Sequence, residues 1–199
     1  FSYDQVMAHS LAVWKSLDSS KFSKVALLLP LSYVYGLSCL LVAYQQRLTL
    51  LSLVGEGLGS VAVLPETLRC ELFVPLVPAQ IRPFLSRANV MSKLLTWCGC
   101  ISFAGGNISP GEIKKLIGII RQADVQCVVF VMYGATEAFG RISCFRFYAE
   151  QLYDKGYVGN LIDGVEAVYS SANEFLGFKS NYNARHKVTM KSGRFVIED

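Results

Sequence analysis

The sequence predicts an α/β fold: a mostly parallel sheet flanked by helices, followed by the start of a smaller β-rich subdomain. Three observations predict it. Apolar runs of strand length alternate with segments of helical spacing through residues 1–140. Charged residues make up 17% of the chain against 52% hydrophobic, which fits strands buried on both faces. After Gly140 the texture changes to short strands divided by Gly, Asn and Ser. At 199 residues the chain can close a core without disulfides.

Residues 4–17 place Val6, Met7, Leu11, Val13 and Trp14 on one helical face, with Ser2 or Asp4 available as the N-cap. Residues 25–29 form a buried strand and residues 30–33 a loop; a helix then runs to about residue 46 and a short strand covers 48–54. The twenty residues 25–44 carry no charge, a length that could cross a bilayer. Pro30, Ser32, Gly36 and Ser38 interrupt them, however, and a buried β-loop-α unit accounts for both halves, so no membrane span is expected. Gly55, Gly57 and Gly59 mark a flexible turn, since no Lys-Ser/Thr pair follows them.

A strand over 72–75 leads to a helix over 78–85 that carries Pro78 in its first turn. Residues 96–103 form the next strand, which ends at Ala104-Gly105-Gly106-Asn107; Ser109 and Glu112 then have the spacing of a capping box. The apolar strand 125–132 runs straight into Tyr133-Gly134-Ala135-Thr136-Glu137. Short strands follow over 142–147, 165–169, 174–179, 186–190 and 194–197. The expected division is therefore an α/β part over 1–140 and an incomplete β-rich part over 141–199.

The net charge of +4 arises from 19 basic and 15 acidic residues with no run of one sign, which argues against a nucleic-acid partner. Most of the six cysteines sit in apolar runs, where a thiol behaves as a small hydrophobe, and a reducing cytoplasm is the natural setting. Cys98-Gly99-Cys100 lacks a second cysteine pair of matching spacing, and the only histidines are His9 and His186; buried thiols are expected there rather than a metal site.

In a mostly parallel sheet, ligands sit beyond the carboxyl ends of the strands. Three loops there have unusual content: residues 30–36 with two tyrosines, residues 104–107 with a glycine pair, and residues 133–137 with an aromatic, a hydroxyl and a carboxylate. Tyr133 and the Gly105-Gly106 turn would give an adenine a flat wall and a close backbone approach. Thr136 would donate to a phosphate and Glu137 would offer Mg²⁺ a hard oxygen. On residue types alone, the segment reads equally well as an ordinary strand-to-loop turn with a capping threonine.

Tyr133-Gly134-Ala135-Thr136-Glu137 resembles the Tyr-Gly-x-Thr-Glu signature of the adenylate-forming superfamily, which includes acyl-CoA synthetases, luciferases and nonribosomal adenylation domains. Further landmarks follow that family's order. Leu29 to Leu37 resembles its Pro-Leu-x-His-x-Tyr/Phe-Gly segment beside the acyl pocket, and Phe103 to Asn107 its Gly-Gly/Ala strand end facing adenine. Gly156 to Glu166 resembles the Gly-x-Val-Gly-x-Pro-x-Pro-Gly-Val-Glu stretch, and Gly193 to Asp199 has the spacing of Gly-Trp-x-x-Thr-Gly-Asp. The sequence departs from the pattern at Tyr33, where the family has a histidine, and at Ile197-Glu198, where it has Thr-Gly.

The resemblance implies an AMP-forming acid-thiol ligase using ATP and Mg²⁺, with a small carboxylic acid as substrate and coenzyme A or a carrier-protein thiol as acceptor. It implies Thr136 and Glu137 as catalytic residues, Glu137 also holding the metal, and Gly105, Gly106, Asn107, Tyr133, Gly134 and Asp199 around the nucleotide. It places Tyr33, Tyr35 and Phe139 in the substrate pocket. The family's lysine-bearing phosphate loop and small C-terminal domain are expected outside these residues, so the chain alone is expected to show little or no ligase activity. The alternative is a non-catalytic adenylate-ligase-like binding protein.

Overall fold

The computed structural model describes residues 1–17, 21–136, 139–147, 159–173, 175–182, 187–191 and 194–198. Helix α1 (Tyr3–Ser16) precedes β1 (Lys24–Leu27), α2 (Val34–Gln45), β2 (Thr49–Ser52), β3 (Leu72–Leu76), α3 (Pro78–Leu85), α4 (Ala88–Leu95), β4 (Cys98–Phe103), α5 (Pro110–Gln122) and β5 (Val128–Tyr133). These five strands are parallel, in the doubly wound order β2-β1-β3-β4-β5. Strands β6 (Ser143–Phe147) and β7 (Asn160–Leu161) extend the same sheet antiparallel at one edge.

The order explains where the helices go. The path from β1 through α2 to β2 moves one way across the sheet, and the path from β3 through β4 to β5 moves the other. Since crossovers between parallel strands are right-handed, the two paths put their helices on opposite faces. Alternating side chains then fill two core layers. Val25, Leu27, Phe73, Cys100 and Phe130 face Ala12 and Val13 of α1 and Cys39 and Val42 of α2. Ala26, Val74, Leu76, Ile101, Phe103 and Val129 face Ile81, Met91, Leu94, Ile113 and Leu116 of α3, α4 and α5. Full burial of a side chain such as Phe103 or Leu76 contributes about 2–3 kcal/mol.

Of the two caps available to α1, Ser2 is used: its hydroxyl accepts from the Gln5 N–H at 3.2 Å. Ser109 and Glu112 form the expected capping box of α5. The uncharged segment 25–44 divides into β1, a loop and α2, and no helix among the described residues is long and apolar enough to cross a membrane. Cys98 and Cys100 are buried in β4, in different core layers, while Cys70 is exposed. Helix α4 and the 3-10 turns Leu58–Val63 and Glu66–Leu68 are additions to the sequence reading, and the strand expected over 125–132 begins and ends later, so that Tyr133 is its last residue. Beyond the main sheet, β8 (Val165–Tyr169) pairs with β9 (Phe175–Ser180), and β10 (Lys187–Lys191) with β11 (Arg194–Glu198), both antiparallel.

Candidate functional site

The two winding paths diverge between β1 and β3, and a crevice at the carboxyl ends of such strands is where open α/β sheets take ligands. A cleft of about 810 Å³ lies there. Its walls come from Leu29 and Pro30 after β1, Tyr33 to Gly36 at the start of α2, Val77 and Pro78 after β3, Ala104 to Asn107 after β4, and Gly134 to Thr136 after β5. The structure thus brings together Tyr33, Tyr35, Gly105, Gly106, Asn107, Gly134 and Thr136. Glu137 and Asp199 lie outside the described residues.

The segment after β5 is a tight reversal. The carbonyls of Tyr133, Ala135 and Thr136 accept from the N–H groups of Ile142, Gly140 and Phe139 at 2.9, 2.8 and 3.1 Å. A side chain on Gly134 would run into the Gly140 carbonyl, so this position has room only for glycine. Phe139 and Gly140 turn the chain back with φ of 53° and 103°. That turn keeps Thr136 on the cleft but carries the Phe139 ring away from it, against Phe1 and His9 at centroid distances of 4.9 and 5.3 Å. Phe139, expected in the substrate pocket, therefore does not line the cleft. The Tyr133 ring stands 6.2 Å from that of Phe178, half-buried, and burial raises its phenol pKa; its backbone carbonyl, rather than its ring, serves the turn.

Tyr35 forms the inner wall. Its hydroxyl donates to the Ser102 carbonyl at 3.0 Å and meets the Ser102 hydroxyl at 2.8 Å, and burial pushes its pKa up, so it stays a neutral phenol. Behind the ring, at 4.6 Å from its centroid, lies the guanidinium of Arg141, a residue only 2% exposed. Arg141 donates to Ser38 Oγ at 2.5 Å, Cys39 Sγ at 3.0 Å and Met132 Sδ at 2.9 Å, joining α2 to β5. Its carbonyl accepts from His9 Nε2 at 3.1 Å, which fixes His9 as the Nε2–H tautomer. Burial lowers the His9 pKa from 6.5 to about 4 against that hydrogen bond, with the nearby Arg141 charge assisting. At the cleft lip Tyr33 is 68% exposed and caps α2 without a side-chain hydrogen bond.

On the other wall, Gly105 leaves β4 with φ of 70° and rests against Val77. Asn107 follows, and its carbonyl accepts from Arg82 Nη2 at 2.8 Å. Arg82 Nε donates to Glu112 Oε1 at 2.6 Å, while Glu112 Oε2 accepts from the Ser109 N–H at 2.7 Å. The Arg82 hydrogen bond first, and the Ser109 backbone second, hold the Glu112 carboxyl below its ordinary pKa. Arg82 is the charged side chain among the described cleft walls, and its charge is matched by the Glu112 carboxylate. Neither Arg82 nor Arg141 is among the site residues expected from the sequence. Glu112, the partner of Arg82, lies 30 positions away on another helix, so no local pattern marks Arg82.

A smaller hollow of about 450 Å³, lined by Lys15, Asn160 and Asp163 among others, lies between α1 and the β6–β7 edge and includes none of the expected site residues. Among the described residues no group of three or more His, Cys, Asp or Glu is gathered for a metal. Thr136, which precedes Glu137 in sequence, lines the cleft.

No protein-family model matches the sequence, and no curated protein matches it. Solved structures do. The inhibitor-bound N-terminal domain of FACL13 from Mycobacterium tuberculosis superposes with a TM-score of 0.74 at 15% identity, over 100% of this chain and 56% of that one. The chain has the adenylate-forming fold. CmiS6 shares this fold with a TM-score of 0.72 at 18% identity, over 96% of this chain and 51% of its own. O-succinylbenzoate coenzyme A synthetase (MenE) from Bacillus subtilis, in complex with ATP and magnesium ion, does so with a TM-score of 0.65 at 14% identity, over 99% of this chain and 45% of its own. The chain thus spans about half the length of the solved structures it matches.

Proposed function

We propose that this chain is the central part of an AMP-forming carboxylate ligase, which activates a small carboxylic acid with ATP and passes the acyl group to the thiol of coenzyme A or a carrier protein. The observation that carries the reading is the meeting of the Gly105-Gly106-Asn107 loop, Tyr35 and Thr136 in one cleft at the divergence of β1 and β3. The Bacillus subtilis synthetase of the same fold, seen with ATP and magnesium ion, supports it.

In this reading the adenine lies along the Gly105-Gly106 backbone, where the absence of side chains permits close approach. The ribose meets Asp199, and Thr136 donates its hydroxyl hydrogen to a phosphate oxygen. The acid lies between Tyr33 and Tyr35, with the neutral Tyr35 hydroxyl turned inward to Ser102 and the ring presented as an apolar wall. An oxygen of the substrate carboxylate attacks the α-phosphorus; the new O–P bond forms as the bond to pyrophosphate breaks. The thiolate sulfur then attacks the acyl carbon and AMP leaves. No covalent intermediate with the protein is needed, so this chain's own residues work by positioning and by hydrogen bonding. Mg²⁺, held by Glu137, would supply charge neutralisation at the phosphates.

Glu137→Gln in the full-length protein is expected to lower ATP–pyrophosphate exchange by about 100-fold or more while the melting temperature stays the same. Unchanged exchange would contradict the assignment. A second reading, a binding protein without ligase activity, is favoured by Tyr33 at the position of the family's histidine. Wild-type protein that binds AMP but catalyses no exchange would establish it instead.

A further inference from the structure

The loop after β4 leaves the sheet early. Its last ladder contact is the Ala104 N–H on the Leu76 carbonyl at 3.2 Å, and Gly105 then turns out of the strand at φ of 70°. Gly105 and Gly106 lie on Val77 and Pro78, close enough that an added Cβ would stand 3.3 and 3.4 Å from those side chains. The next residues are held from a different direction. Arg82, one turn further along α3, donates to the Asn107 carbonyl and to Glu112 in the first turn of α5, at 2.8 and 2.6 Å. The second Glu112 oxygen is occupied by the Ser109 N–H. One planar guanidinium thus ties α3, the loop and α5 together through two fixed directions.

The Arg82 and Glu112 side chains are 51% and 22% exposed, and solvated ion pairs add little to global stability. Their geometry has a local effect, because the carbonyl they hold belongs to the cleft wall. We propose that Arg82 is a positioning residue: the Arg82–Glu112 latch holds the Gly105–Asn107 loop in the conformation that receives the nucleotide base. This rests on the ligase reading above.

The test uses AMP as the probe, titrated calorimetrically into the full-length protein, with backbone hydrogen exchange at residues 105–107 as a ligand-free readout. Glu112→Gln is the discriminating variant, since a capping box accepts glutamine and only the ionised partner of Arg82 is lost. Arg82→Gln is expected to raise the AMP Kd about fivefold to tenfold, with faster exchange at the loop and a melting temperature within about 2 °C of wild type. Glu112→Gln should raise the Kd about threefold, Arg82→Lys should fall between wild type and Arg82→Gln, and the double variant should be no weaker than Arg82→Gln alone. If Arg82→Gln fails to fold, Glu112→Gln and Arg82→Lys carry the test. A purely structural role predicts a lower melting temperature with an unchanged Kd. AMP affinities within about twofold of wild type throughout, or effects that multiply in the double variant, would overturn the latch. Wild-type protein that binds no AMP would overturn the nucleotide reading itself, a result distinct from equal binding by wild type and variants.

Discussion

A methyl group on Gly134 would strike the carbonyl of Gly140, and that single contact explains why the chain after β5 carries glycine where it does. The turn was legible as residue types at a strand end. Its consequence for Phe139 was not, because a positive φ at a non-glycine residue is imposed by the packing around it and leaves no local mark. Arg141 was hidden for a related reason. Its partners Ser38 and Cys39 lie 103 and 102 residues away, and nothing near it in sequence announces burial. His9, read as one residue of an amphipathic helix, is fully buried beneath this arrangement and hydrogen-bonded to the Arg141 backbone. Its pKa is about 4 in the folded protein against 6.5 when unfolded, so the unfolded chain binds the proton more tightly. The stabilisation from keeping His9 neutral is complete above pH 6.5 and is lost as pH falls towards 4, by about 3 kcal/mol in all. Urea denaturation at pH 7 and pH 4.5 is expected to show that loss in wild type and a shallower pH dependence in His9→Gln. Parallel pH profiles would show that His9 does not carry it.

Caps were the most readable feature at the level of the element. Ser109 and Glu112 announce the start of α5 in sequence, and the hydroxyl accepts from the Glu112 N–H at 3.2 Å as that spacing requires. Ser109→Ala is expected to cost about 1 kcal/mol, read as a lower urea midpoint with an unchanged slope. A midpoint equal to wild type would mean that the box adds nothing. Helix α4 has eight residues and an Arg87 N-cap without a side-chain hydrogen bond, so it carries no start signal; it forms because Met91, Leu94 and Leu95 are buried against the sheet. Strand β7, at two residues, is too short for any periodicity and exists as a partner of β6. These elements depend on tertiary burial, which local pattern does not encode.

Alternating strands and helices made a mostly parallel sheet readable for the molecule as a whole, but not which strands are neighbours. The order β2-β1-β3-β4-β5 decides where the site lies, since it sets the divergence between β1 and β3. That topology collects Tyr35, Gly105 and Thr136, scattered over a hundred residues of sequence, into one cleft. The central claim is that a nucleotide binds there. Hydrogen–deuterium exchange of the full-length protein with and without AMP tests it most directly. Slowed exchange at residues 104–107 and 133–136, with β8 and β9 unchanged, is the expected result. Saturating AMP that leaves both cleft loops unprotected, or protects the hollow between α1 and the β6–β7 edge instead, would contradict it.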